Sequence, residues 1–432
     1  MIDLEPIETS LVDGTFKGVP PGQEPTPLSE IGSLGWNVLS HDVPFPAAVI
    51  HEPTLRRNSR WMKEFARRTG VSLCPHGKTT MAPQLFALQE DDGAWGFTAA
   101  TPNHLAVYRR FGISRVIYAN QLMGRSALSF VFGELRTDPD FDFYCVVDSR
   151  AHLDDLIWHL NEEPVGRPLQ LLLEIGVENG RCGLRDPREA VALAKAIKEA
   201  APLVTLRGVE TFEGIVVVTT EEGRKSVDRL LDTMKSVVEG CDAGDLFGEG
   251  EVLLTAGGSA HFDEVVRRLR DIRLSRDRRI VLRSSCYLTH DVNFYGPAYD
   301  FIKRRSADVA ATPGDLRPAL EVWGLVQSTP EPNLAIVTIG KRDVSHDCGL
   351  PALSRHLQAG DGNVVVDASA MGQVVALNDQ HAYIRLHTGQ SLAVGDLVSF
   401  GISHPCTTFD KWQLLYLVDD EYNINGAIRT FF

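Results

Sequence analysis

The sequence predicts an α/β protein: a closed (β/α)8 TIM-type barrel followed by a second, C-terminal β-rich domain. Between residues 71 and 287 of the 432, eight short apolar segments alternate with helical stretches, which suits a closed barrel better than an open sheet. No Gly-x-Gly-x-x-Gly follows the first of them, so a dinucleotide-binding fold has no support. Beyond about residue 305 the helical texture stops, and short strand-like runs separated by turns take over. The expected limits are an N-terminal extension over 1–45, the barrel over 46–300 and the β domain over 301–432.

Pro20, Pro21, Pro25 and Pro27 break any helix in the extension, which is expected to wrap around a domain rather than form one. A short strand follows at Ala47–His51. The barrel strands are read at Val71–His76, Gly96–Thr101, Arg115–Asn120, Phe141–Asp148, Leu169–Val177, Leu206–Gly214, Glu251–Gly257 and Ile280–Tyr287. Helices are expected at Ala82–Gln89, Asn103–Arg110, Ser126–Leu135, His152–Leu160, Arg188–Ala200, Arg224–Val238 and His261–Leu269. Ala190, Val191, Ala194 and Ile197 make an apolar stripe at helical spacing, as do Leu230, Leu231, Met234 and Val237. In the β domain, strands are read at Glu321–Gln327, Leu334–Ile339, Val364–Asp367, Val374–Leu377, Ala382–His387, Leu397–Phe400 and Leu414–Val418. Turns are expected at 330–333 and 361–363.

The formal charge of −14 argues against a nucleic-acid partner, which needs a basic face. It does not exclude an anionic small molecule held by a local cluster of cations. The seven cysteines are scattered and never spaced Cys-x-x-Cys, so reduced thiols in a cytoplasmic protein are expected. The acidic start, MIDLEPIETS, predicts no signal peptide, and no apolar run approaches the roughly 18 residues of a membrane span.

Lys78 follows the first barrel strand, where a side chain points into the mouth of a barrel. A lysine there is either a solvated cation or an amine kept to form an imine. The seventh strand runs into Gly257-Gly258-Ser259 ahead of a helix, a loop that lets backbone amides approach an anion. The eighth runs into Arg283-Ser284-Ser285-Cys286-Tyr287. Barrels often hold phosphate at these two loops. A lysine facing a phosphate site describes pyridoxal 5′-phosphate, and equally a phosphorylated sugar that forms a Schiff base. In the β domain His404 and Cys406 are two residues apart, so an extended segment turns both to one side. Imidazole and thiolate are preferred zinc ligands. His346-Asp347-Cys348-Gly349 is a rival pair, read as a structural turn.

These residues resemble the D-serine dehydratase-like and D-threonine aldolase-like branch of the alanine-racemase-type (fold type III) pyridoxal-phosphate enzymes. The matching segments, in order, are Pro75–Thr79, Glu174–Val177 running into Arg181–Gly183, Gly208-Val209 before Phe212–Gly214, Gly257–Ser259, Leu282-Arg283 through Tyr287 to Asp291, Ser345–Pro351 and His404–Cys406. Within that branch the wording CPHGKTTMAPQLF and ANQLMG is most similar to bacterial amino-acid (D-serine) deaminases. The resemblance implies Lys78 as the imine lysine and proton carrier, and zinc on His404 and Cys406. It also implies a homodimer with the active site at the interface. Gly257, Gly258, Ser259, Arg283, Ser285, Cys286 and Tyr287 would join Lys78 in holding the cofactor. His-x-Cys resembles the dehydratases, whereas the aldolases usually carry His-x-Asp. Ser284-Ser285 departs from the family's Pro-Gly, and Glu210–Glu213 lacks its Tyr or His-Gly-His pattern. Arg283 either approaches the pyridine nitrogen or holds a loop through a carboxylate, and Glu174 pairs with Arg181.

The activity implied is loss of water and ammonia from a β-hydroxy D-amino acid such as D-serine, with zinc helping the hydroxyl leave. The alternatives are retro-aldol cleavage of a D-threonine or 3-hydroxyaspartate type of substrate, and a pyridoxal-phosphate-binding protein without turnover. A carrier would have no use for a leaving-group metal.

Overall fold

A computed structural model describes residues 2–216, 220–360 and 364–432; the turn expected at 361–363 lies outside the described residues. Eight parallel strands form the barrel: Ser72–Leu73, Phe97–Ala99, Arg115–Gln121, Asp142–Val147, Leu169–Ile175, Val204–Thr211, Val252–Ala256 and Arg278–Leu282. The last pairs with the first through Leu282 and Leu73, and a parallel bridge from His76 to Thr98 closes the ring. Alternate strand residues fill the interior as a small separate core of Cys74, Ile117, Tyr144, Val146, Leu172, Leu253 and Val281. Their neighbours face the outer helices, so both faces are dry, as parallel strands require.

The helices start where hydroxyl or carboxylate side chains cap them. Thr101 accepts from the His104 amide, Ser149 from His152, Asp186 from Arg188 and Thr220 from Gly223. An unforeseen helix, Glu52–Thr69, ends at Gly70 with φ 69°, the left-handed conformation glycine adopts freely. Five arginines between residues 267 and 279 are paired rather than forming a free basic face. Arg267 and Arg268 pair with Asp228, Arg270 with Asp308, Arg276 with Asp245 and Arg279 with Glu251.

The β domain is a ten-stranded sheet, and a two-stranded sheet of Leu11–Val12 with Thr26–Pro27 lies in the extension. It contains two strands the sequence pattern hid, Ala352–Leu357 and Ile424–Arg429. Ala47–His51, placed by sequence at the start of the barrel, belongs to this sheet. It pairs antiparallel with Leu320–Glu331 and parallel with Leu414–Val418. Its residues 47–50 are all buried, and only a central place in a sheet covers them on both sides. The extension straps the two units together: the Asp3 amide donates to Phe111 O, and the turn over Leu28–Leu34 lies on Ile424–Arg429.

The units meet where the barrel's rim faces the β domain. The Phe431 amide donates to Met81 O (2.9 Å), and the Val292 amide to Ile402 O (3.2 Å). That seam brings Thr79 and Cys286 of the barrel against Cys406. No helix among the described residues is long and apolar enough to cross a membrane.

Candidate active site

The first strand stops at Leu73, and a short 3-10 turn, Gly77–Thr79, carries Lys78 to the rim. Only glycine fits before it, because a Cβ on Gly77 would stand 2.1 Å from the Tyr108 hydroxyl. The exposed Lys78 side chain faces a cavity of about 260 Å³, lined also by His76, Glu174, Arg181, Glu210, Phe212, Gly257 and Arg283. Desolvation, then the nearby Lys78 charge, hold both His76 and His104 below the usual imidazole range, His104 at about 4. Both rings are therefore neutral acceptors: His76 Nδ1 takes the Lys78 amide and His104 Nδ1 the Ala100 amide.

Arg283 and Glu210 are each 3 % exposed and form an ion pair at 2.6 Å. Arg283 also donates to Thr255 Oγ1 and Thr211 O. Of the two roles left open by the sequence, the carboxylate-held one is present, and the guanidinium still lines the cavity. Glu174 does not pair with Arg181. It accepts from Gln121 Nε2 at 2.6 Å, while Arg181 lies over the Phe212 ring at 4.3 Å. Burial, and secondarily the Glu210 charge, push the Glu174 carboxyl up to about 8, so it keeps its proton near neutrality. The walls thus present Lys78, Arg181 and Arg283 against one carboxylate, a local surplus of positive charge in an acidic chain.

At the far side, the Gly257 and Gly258 amides converge on one anion, the buried carboxylate of Glu213, at 3.2 and 2.6 Å. A Cβ on Gly258 would stand 2.4 Å from that carboxylate. The loop is shaped to receive an anion, with glycine amides doing the donating. A rim amine, cationic walls and an anion-receiving loop on one cavity are the parts that pyridoxal phosphate requires, and these residues fit it.

The remaining candidates lie elsewhere. Ser259 and Tyr287 border a small void on the opposite side of the loops, and the Tyr287 hydroxyl accepts from Gln89. Ser285 Oγ is 2.5 Å from Thr79 Oγ1. Cys286 turns its thiol toward the β domain, to within 3.7 Å of Cys406 Sγ.

His404 and Cys406 do come together, close enough for each to shift the titration of the other. Asp347 and Cys348, read from sequence as a structural turn, sit beside them. Asp347 Oδ2 is 2.6 Å from His404 Nδ1, and Cys348 Sγ is 3.6 Å from the same nitrogen. Asp347, Cys348 and His404 place their donor atoms within 4.8 Å of one another. The fold brings this turn over Pro405–Phe409, where Thr407 Oγ1 also donates to Asp347. His, Cys and Asp donors at this spacing suit zinc. Sequence reasoning missed Glu210, Glu213 and Asp347. Each acidic residue lies in a segment already singled out, and that placement was the available signal.

A barrel whose rim carries an amine, an anion-receiving loop and a nearby sulfur–imidazole pair is the geometry to set beside known proteins. Residues 319–418 match the family model described as "Putative serine dehydratase domain". D-threonine aldolase of Arthrobacter sp is 24 % identical over 408 residues, 93 % of each chain. Among solved structures, D-threonine aldolase from Filomicrobium marinum aligns with a TM-score of 0.75 at 20 % identity, over 92 % of this chain and 97 % of that one. D-threo-3-hydroxyaspartate dehydratase from Delftia sp. HT23 aligns with a TM-score of 0.70 at 19 % identity, over 91 % and 99 %. A Cys-to-Ala variant of that dehydratase is described as metal-free. The resemblance drawn from sequence, to the D-serine dehydratase-like and D-threonine aldolase-like enzymes, is borne out.

Proposed function

We propose that this protein is a pyridoxal-phosphate- and zinc-dependent lyase that removes water and ammonia from a β-hydroxy D-amino acid such as D-serine. The observation that carries the reading is the single cavity shared by Lys78, the Arg283–Glu210 pair and the Gly257 loop. When bound, the cofactor supplies the electron sink that makes the substrate's Cα–H acidic. Lys78 would hold the cofactor's aldehyde and is the amine placed to carry the Cα proton; the neutral His76 and His104 beside it do not compete as acids. Gly257 and Gly258 would hold the phosphate, through the amides that now donate to Glu213. The Arg283–Glu210 pair fixes a cation at the cavity wall, and Arg181 is free to meet the substrate carboxylate. His404 and Cys406 would hold the metal, which serves as a Lewis acid for the β-oxygen. The nearness of Thr79, the residue after Lys78, to Cys406 Sγ (3.4 Å) joins the metal pair to the lysine turn.

A second reading, metal-assisted retro-aldol cleavage, is favoured by the aldolase relative. His-x-Cys and the metal-free cysteine variant of the dehydratase favour the first. Incubation with D-serine, D-threonine and 3-hydroxy-D-aspartate, with and without a chelator, separates them. Ammonia and a 2-oxo acid, lost on chelation, are expected. Glycine and an aldehyde would establish the second reading, and no product from any of the three would end both. All seven cysteines are free, which suits the cytoplasmic placement that forms part of this proposal. So does the homodimer, checked by sedimentation.

A further inference from the structure

We infer that Cys286 is a third protein ligand of the metal, contributed by the barrel, so that the centre is Cys2His with one position open. The inference deepens the function proposed above and rests on its metal. Two ligands from one short segment leave a zinc ion half-clothed. Structural sites have four protein ligands and catalytic ones three, and a Cys2His set with an open fourth position is an established catalytic arrangement.

Cys286 supplies a sulfur at the right separation. Cys286 Sγ lies 3.7 Å from Cys406 Sγ. Two thiolates each about 2.3 Å from one zinc ion, at a tetrahedral angle, stand about 3.8 Å apart. A disulfide would hold them at about 2.05 Å, and both cysteines are free. The pair is drawn from two domains, 120 residues apart in sequence, and Cys286 is 4 % exposed. Thr79 Oγ1 reaches both sulfurs, at 3.4 Å from Cys406 and 3.9 Å from Cys286, so the lysine turn flanks the same point. His404 completes the set with Nε2, because Nδ1 is engaged by Asp347, the orientation a carboxylate gives to a metal-binding imidazole.

The rival third ligand is Cys348, which with Asp347 and His404 forms the tighter donor cluster. It is on the Nδ1 side of the ring, where Asp347 already lies. Using Cys348 would turn the imidazole away from Cys406. Using Cys286 keeps the adjoining Cys286 and Cys406 sulfurs together and leaves the open position for the substrate's β-oxygen. It also makes the metal a clamp between barrel and β domain.

Zinc-edge X-ray absorption on the full-length, zinc-loaded protein counts sulfur neighbours directly. Two sulfurs at about 2.3 Å are expected in the unaltered protein and in Cys348→Ser, and one in Cys286→Ser. Should Cys286→Ser fail to fold or hold zinc, Cys348→Ser still decides, because two sulfurs there leave Cys286 as the partner of Cys406. One sulfur in the unaltered protein, one in Cys348→Ser, or two in Cys286→Ser overturns the inference while leaving the proposed function standing. A protein that retains no zinc at all overturns both the inference and the metal half of that function.

Discussion

Around Lys78 the functional groups are charged and come from successive strand ends of one barrel. At His404 they are sulfur, imidazole and one carboxylate, drawn from two domains across a seam. The first arrangement is fixed by strand order. Arg283 directly follows the eighth strand, Glu210 is the penultimate residue of the sixth, and the arginine also donates to Thr255 of the strand between them. The second depends on how the β domain docks, through contacts such as Val292 with Ile402 and Thr79 with Cys406. One region is therefore robust to changes in the β domain, while the other reports on docking.

The largest effect should come from the rim. Lys78→Ala removes the amine and the proton carrier together, and turnover is expected to fall by at least about 10² to 10⁴-fold. Borohydride reduction of the unaltered protein should leave a pyridoxyl label on the peptide containing Lys78 and none in the variant. A label on another lysine would dissolve the contrast between the two regions. Next in size is Glu210→Ala. Removing one partner of an ion pair in which both side chains are 3 % exposed leaves a buried cation and should cost about 3–5 kcal/mol in urea denaturation. The paired change Arg283→Met with Glu210→Leu should recover most of that loss. No recovery would mean that the arginine's bonds to Thr211 O and Thr255, rather than the charge pair, hold the rim.

At the seam, Asp347→Asn weakens the hold on His404 Nδ1 without touching the barrel. Zinc affinity, read by chelator competition, should fall about 10- to 100-fold, with unfolding midpoints of the metal-free protein little changed. An unchanged affinity would show that Asp347 does not orient the imidazole.

The same contrast explains what the sequence made legible. Lys78 and the Gly257 loop could be located because they follow apolar runs whose spacing marks barrel strands, and position alone gives such residues a direction. Glu210 could be placed on its strand, but its partner depended on barrel closure. Cys286 and Cys406 carry no sign of each other in sequence, since only domain docking joins them. Two β-domain strands were hidden for a local reason. Ala352–Leu357 pairs through a bulge between Leu353 and Arg355, and Ile424–Arg429 through one beside Val418, so neither shows clean alternation. Ala47–His51 was legible as a strand, yet its fully apolar face could not say which sheet would cover it.

A pH dependence also separates the two regions. Glu174 titrates near 4.5 when solvated and at about 8 in the fold, because of burial first and the Glu210 charge second. Between those values the folded chain keeps a proton that the unfolded chain has released. Its contribution to stability is therefore complete below about 4.5 and is lost as pH rises toward 8, at no more than about 1.4 kcal/mol per pH unit. Glu174→Gln cannot titrate and keeps a neutral group beside Gln121, so the difference in unfolding free energy between variant and unaltered protein should grow from pH 5 to pH 8. Asp347→Asn should leave that slope in place, because its carboxylate lies across the seam from Glu174. Parallel pH profiles for Glu174→Gln and the unaltered protein would mean that Glu174 is ionised in the fold. Lys78, Arg181 and Arg283 would then face two carboxylates instead of one, and the electrostatic case for an anionic cofactor at that rim would weaken.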